Sequence, residues 1–247
     1  MRPSQAVSRA ARCGTTGLAR RFVHALLLVA TTSSMAAAQI RGQAIRRPSY
    51  GWWLSGGAGA VVLGDIADGA TQTRWSFGSD PLWQMRGTLE KAIDQASTVG
   101  VSVGYGVVDL TVSPLVAAVT DGEVLRVPES CRVSCEAETE LWTLMGQFRS
   151  GGGPGFHTLF QASGGVTGFR NMRTRLDTAA IGNPKGQFDI SGSLGAGFGY
   201  TLSPGFVVEL VQDFGIGWHA KTDLPAGTGR TWRARTTRAG LRFAFGG

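Results

Sequence analysis

The chain has 247 residues, 24 basic against 17 acidic side chains, 37 Gly and only 17% charged residues. With 43% hydrophobic residues it is neither a disordered tail nor a collagen-like polymer, and its length suits one domain or at most two. Five of the arginines (Arg2, Arg9, Arg12, Arg20, Arg21) and no acid lie in residues 1–38, leaving 19 basic against 17 acidic beyond them. The high net charge therefore belongs mostly to the N-terminus, and a nucleic-acid reading, which wants a basic face on the folded domain, loses most of its support.

Residues 1–38 read as a secretory signal. An Arg-bearing segment to Arg21 precedes a short apolar run, Phe22–Ala30, and a small-residue stretch that ends Ala36-Ala37-Ala38. Nine apolar-type residues are too few for a membrane helix, which needs about 20. Cleavage before Gln39 leaves 39–247 as the mature domain. A lipoprotein signal is not expected, because Gln39 stands where a Cys would be needed. No later stretch is long enough for a transmembrane helix, so the mature chain is either soluble after export or crosses a membrane as strands.

Eight alternating segments follow. The first, over 50–64, is rich in Gly and Ala and its phase is ambiguous. The second places Trp83, Met85, Gly87 and Leu89 opposite Gln84, Arg86, Thr88 and Glu90. The third sets Val99, Val101, Val103, Tyr105 and Val107 against Gly and Ser, and its phase slips at Val108-Asp109, as a bulge would cause. The fourth alternates Trp142, Leu144, Gly146 and Phe148 with Thr143, Met145, Gln147 and Arg149. The fifth, 155–170, is less regular, with Leu159 and Phe169 opposite Phe156 and Phe160.

The sixth is the clearest. Phe188, Ile190, Leu194, Phe198, Tyr200 and Leu202 share one face over residues 187–202, longer than a typical soluble strand of about six. In the seventh, Phe206, Val208, Leu210, Phe214, Ile216 and Trp218 share a face interrupted only by Gln212. In the eighth, Thr237, Ala239, Leu241, Phe243 and Phe245 do so. Connections alternate between tight turns near 94–97, 150–154 and 203–204 and long loops over about 65–81, 113–138, 171–186 and 219–230. Membrane barrels alternate short and long connections in this way.

The apolar face is expected to point outward. The polar face is mostly Gly, Ser and Thr, and the whole chain has three Lys, far fewer than a soluble exterior carries. An eight-stranded interior is just wide enough for side chains to fill. Gly195, Gly197 and Gly199 would leave room there for long Arg side chains, and Glu209, Asp213, Arg238 and Arg242 share the inward phase of adjacent strands. These four are expected to form a lumenal ion-pair network, since desolvated carboxylates without partners are costly. Trp218 and Trp232 at the loop ends, with Tyr200, Phe206, Phe243 and Phe245 at the turn ends, are expected to form interfacial girdles.

Cys131 and Cys135 are an even pair in an exported chain, and a disulfide is the default reading. The loop they clamp carries Asp121, Glu123, Glu129, Glu136, Glu138 and Glu140 against Arg126 and Arg132. Asp65 to Gly69 reads as a turn rather than a Ca²⁺ loop, and Gly195-x-Gly197-x-Gly199 lacks the helix that a phosphate cradle needs. No catalytic, cofactor or metal residues are expected, and His219 beside Trp218 reads as interfacial.

In this architecture the chain resembles the small eight-stranded outer-membrane β-barrel proteins of Gram-negative bacteria, of OmpA, OmpX and OmpW type. The resemblance covers about residues 48–245 and includes the last strand, RAGLRFAF. It implies an all-β, antiparallel up-and-down transmembrane barrel in the outer membrane, a monomer among lipids and lipopolysaccharide, inserted by the barrel-assembly machinery. Members usually end on Phe, whereas this chain ends Phe245-Gly246-Gly247; neither a plug nor a peptidoglycan-binding domain is expected. A lipid A deacylase of similar architecture needs a His-x-Ser pair, which neither His157 nor His219 begins. The expected role is a non-enzymatic, surface-exposed barrel with a mostly filled lumen. The alternatives are a narrow channel for small solutes, a secreted lipocalin-like carrier and a lipid-modifying membrane enzyme.

Overall fold

The computed structural model describes residues 51–115, 131, 133–182, 186–220, 224 and 228–245. The signal segment, Asp121, Glu123, Arg126, Glu129, Arg132, Gly246 and Gly247 lie outside the described residues. The described residues form ten strands: β1 (Trp52–Leu63), β2 (Ile66–Asp68), β3 (Thr73–Ser76), β4 (Leu82–Ala92), β5 (Ser97–Pro114), β6 (Cys135–Gly151), β7 (Gly155–Thr174), β8 (Gln187–Ser203), β9 (Phe206–Trp218) and β10 (Thr231–Phe245). Eight of them, β1 and β4 to β10, pair antiparallel in chain order. The circle closes where β1 pairs with β10, from Trp52↔Phe245 to Leu63↔Ala234. The protein is an eight-stranded antiparallel barrel, and closure leaves no unpaired edge among its walls. The first long loop holds more than a turn: β2 and β3 form a hairpin, and β3 extends the wall by pairing with the loop end of β5.

The tilt follows from the register. Starting at Phe245, the paired positions run Trp52, Lys91, Val99, Phe148, Ala162, Leu194 and Phe214, then return to β10 at Arg235, ten residues higher. A stagger of ten residues at about 3.3 Å each, over eight strands about 4.8 Å apart, inclines the strands by about 40°.

The apolar face points outward. Leu194 is 69% exposed, and Trp83, Met85, Phe156, Phe188, Ile190 and Phe214 are likewise exposed. From Tyr200 to Ile190, ten residues along β8, the inclined strand rises about 25 Å, the height of a membrane barrel's apolar band. The uncertain phases resolve within this pattern. On β1, Trp52 and Leu54 face out while Val61 and Leu63 face in; on β7, Phe156 and Phe160 face out while Leu159 and Phe169 face in.

The slip expected at Val108-Asp109 is absent. β5 stays in unbroken register with β6 through that point, and inside and outside continue to alternate to Val112. What changes is the surroundings. Beyond the apolar band the exterior is water, so Asp109 and Thr111 face out, while Val108, Leu110 and Val112 point into an apolar core inside the barrel. The register irregularity in this region lies instead between β6 and β7, at Glu138/Glu140.

Candidate functional site

The barrel interior has two storeys. The lower one, towards the tight turns, is charged. Glu90 of β4 accepts hydrogen bonds from the Thr98 hydroxyl at 2.8 Å and from the Gln147 amide at 2.7 Å, and it pairs with Arg242 of β10. Arg149 of β6 lies 3.8 Å from Glu90 and pairs closely with Glu209 of β9. One strand-turn higher, Arg238 donates to Gln161 at 2.8 Å and lies 3.7 Å from Asp213, while Arg86 donates to Ser102 at 2.8 Å and Gln147 at 3.1 Å. The Arg242 guanidinium also covers the inward Trp53 ring, 4.1 Å from its centroid.

The structure thus places Glu209, Asp213, Arg238 and Arg242 in the lumen and keeps Arg238 beside Asp213, as a hairpin reading expects, but it pairs the other two elsewhere. Glu209 reaches across to Arg149, and Arg242 meets Glu90. Glu90 and Arg149 already have inward phase in the sequence. Their common height comes from the strand tilt, which brings positions on distant strands level. The glycine faces hold other occupants than arginine. A Cβ at Gly195 would collide with the Asp213 carboxylate, and one at Gly199 with the His157 ring.

The upper storey is an apolar core with a buried polar centre. Val112, Leu110, Phe169, Trp75, Phe77, Ile181 and Trp232 pack together inside the loop end of the wall. Trp232 is 4% exposed and lies inside, correcting its place in a girdle; its parity matches inward Arg238 and Arg242, and Gly217 makes room for the indole. Trp218 does face outward.

His219 is likewise no interfacial residue. It is 2% exposed, with Nδ1 2.9 Å from the Asp189 carboxylate and Nε2 3.4 Å from Asp68, against the edge of the Trp75 ring. Asp189 also accepts the Trp232 indole N–H at 2.7 Å. Asp68 accepts the Thr71 hydroxyl and the backbone N–H groups of Ala70 and Thr71, which makes the Asp65–Gly69 stretch a capped turn tied to His219. His219 and Asp68 stand beyond the apolar band. Burial pulls the His219 imidazole down, but the hydrogen bonds and charges of Asp189 and Asp68 outweigh it and push its pKa up to about 9. For Asp68, burial acts upward and is outweighed by the His219 and Thr71 hydrogen bonds, so its pKa is lowered. Position 219 is two residues from Gly217 in an alternating strand, the one sequence signal for its inward phase.

Between the storeys lies a cavity of about 60 Å³, lined by residues such as Gln84, Arg86, Thr143, Met145, Asp213 and Trp232. It can hold a few waters and no larger solute. Cys131 and Cys135 are bridged, with Cα atoms 4.8 Å apart, and Cys131 is buried in the upper core. Among the described residues no cluster of His, Cys, Asp and Glu is arranged to hold a metal.

No family model and no curated protein matches the sequence. Among solved structures the chain is similar to Neisserial surface protein A (12% identity, 78% of this chain and 97% of that one, TM-score 0.48). It is also similar to OprG of Pseudomonas aeruginosa (15%, 81% and 98%, 0.41) and to the outer membrane protease OmpT of Escherichia coli (8%, 81% and 99%, 0.39). With overlap this partial, the assignment rests on the chain's own geometry. By closure, stagger and apolar band, the protein is a small eight-stranded β-barrel of the outer-membrane type.

Proposed function

We propose that the protein is a non-enzymatic, sealed outer-membrane barrel that presents its long loops outside the cell. The observation that carries this reading is the double closure of the lumen. A layer of buried ion pairs around Glu90, Arg149, Glu209 and Arg242 lies below, and an apolar core around Trp75, Phe169 and Trp232 lies above. The cavity between them is water-sized, which favours a plug over a channel. The apolar exterior disfavours a secreted carrier, since a soluble barrel buries that face. The His219–Asp189 pair is too deeply buried to meet a substrate, which supports the non-enzymatic reading. The signal segment 1–38 accounts for export, and the barrel-assembly machinery for insertion as a monomer among lipopolysaccharide.

Planar-bilayer recording tests the sealed lumen. Refolded wild type should give no discrete current steps at moderate voltage. Removing both a cation and its carboxylate, as in Glu90→Ala/Arg242→Ala, should widen only the lower layer and leave the upper closed. Stepwise conductance of the wild type would replace the sealed barrel with a narrow channel. Heat-modifiable migration of unboiled against boiled samples on a denaturing gel should accompany folding, and folded monomer in an aqueous periplasmic extract would refute the membrane location.

A further inference from the structure

The outer wall is not uniformly convex. Gly146 on β6 pairs with Gly164 on β7, and Gly164 with Gly192 on β8, so three outward glycines stand side by side across three strands. An added Cβ at Gly164 would meet nothing within 4 Å, and at Gly146 or Gly192 the nearest atom is a single backbone carbonyl oxygen. The row leaves a furrow of about 730 Å³ in the apolar band, walled by Phe148, Leu194, Phe214 and Ile216 and reaching Arg233 at its upper end.

Two cations stand at that end. Arg233 pairs in register with Ile216, and Arg235 with Phe214, and both side chains face outward from β10. The Arg235 guanidinium lies 6.0 Å from the centroid of the Phe214 ring, on the furrow's own wall. Among the described residues neither arginine pairs with a carboxylate. The stagger puts Arg235 about 25 Å above Phe245, at the loop-side boundary of the band, where an arginine can reach headgroups while its stem stays among acyl chains.

From the furrow and this pair of arginines we infer a binding site for a phosphorylated glycolipid of the loop-facing leaflet. One acyl chain lies along Gly146, Gly164 and Gly192, and its headgroup phosphate is held between Arg233 and Arg235. Three features select this occupant. The furrow is apolar, it opens at a membrane boundary, and its mouth carries two planar guanidiniums suited to phosphate oxygens. The inference rests on the outward phase of β6 to β10 and is independent of whether the lumen is sealed.

The test uses the mature chain refolded in dodecyl maltoside micelles and native mass spectrometry with purified diphosphoryl lipid A. Phosphatidylglycerol and phosphatidylcholine serve as comparisons. Wild type should retain one lipid A at least tenfold more tightly than either phospholipid. Arg233→Gln/Arg235→Gln should weaken retention at least tenfold, as loss of charge-assisted phosphate contacts requires. Gly164→Leu fills the furrow without a backbone clash and should weaken it similarly, with heat-modifiable migration unchanged. The arginine variant stands by itself should Gly164→Leu not refold. Equal retention of phosphatidylglycerol or phosphatidylcholine, or undiminished lipid A binding in the arginine variant, would overturn the site. So would a dimer of the wild type that Gly164→Leu dissolves, which would assign the furrow to a second copy of the chain.

Discussion

His219 Nδ1 lies 2.9 Å from the Asp189 carboxylate inside the apolar upper core, with Asp68 3.4 Å from the other ring nitrogen. An imidazolium between two carboxylates keeps the β2–β3 hairpin, through Asp68, tied to the wall, through Asp189. The same carboxylate holds the Trp232 indole at 2.7 Å, so one acidic side chain fixes both the cation and one of the two indoles of the upper storey.

The tie has a defined pH window. His219 is raised from 6.5 to about 9, so its contribution is complete below about pH 6.5 and is lost as pH rises through about 9. Asp68 is lowered from 3.8, so its contribution is present above that value and is lost only as pH falls through the lowered one. Between pH 6.5 and 9.5 the hairpin should therefore loosen, read as rising protease cleavage in the first loop and a change in tryptophan emission. His219→Gln should flatten that profile. An unchanged alkaline transition in His219→Gln would show that another group titrates.

The lumen pairs make a prediction about coupling. Removing one partner of a buried pair costs roughly 3–5 kcal/mol, because the other charge is left unmatched. Double-mutant cycles in detergent should give strong coupling for Glu209→Gln with Arg149→Met and for Glu90→Gln with Arg242→Met. The cycle of Glu209→Gln with Arg242→Met should couple weakly, since each residue has another partner. Stronger coupling in that third cycle would mean the pairing across the lumen is different.

Leu194, 69% exposed on the lipid face, should not tolerate charge. Leu194→Arg is expected to cost roughly 2–4 kcal/mol at mid-membrane, measured as a lower unfolding midpoint in urea with unchanged slope. Gly192→Ala, outward on the same strand and near only one carbonyl oxygen, should cost far less. Gly195→Ser should be damaging, because a Cβ there would displace Asp213 from Arg238.

Reducing the Cys131–Cys135 bridge should destabilise by about 2 kcal/mol on the chain-entropy model, for a loop closed over a sequence separation of 4. The loss should be local, seen as faster proteolysis before β6 with little change in the global unfolding midpoint. A midpoint shift as large as that of Leu194→Arg would place the bridge in the barrel's cooperative core instead.

The eight wall strands, their antiparallel connectivity and the outward phase of β4 to β6 and β8 to β10 were legible in the sequence, because period-two alternation against lipid leaves one face largely apolar over many residues, whereas the β2–β3 hairpin was not. Glu90 and Arg149 were legible as inward, but not as partners of Arg242 and Glu209. Partnership across the lumen depends on the ten-residue stagger, a property of closure that no single strand carries. The alternation also misled where the solvent changed. Above the band, water lies outside and an apolar core inside, so Asp109 and Val108 reverse the polarity code without any bulge, while Trp232 and His219 follow their inward parity into that core. Local pattern determined which residues share a face. Only the closed, tilted wall decided which of them meet, and how high the membrane reaches along each strand.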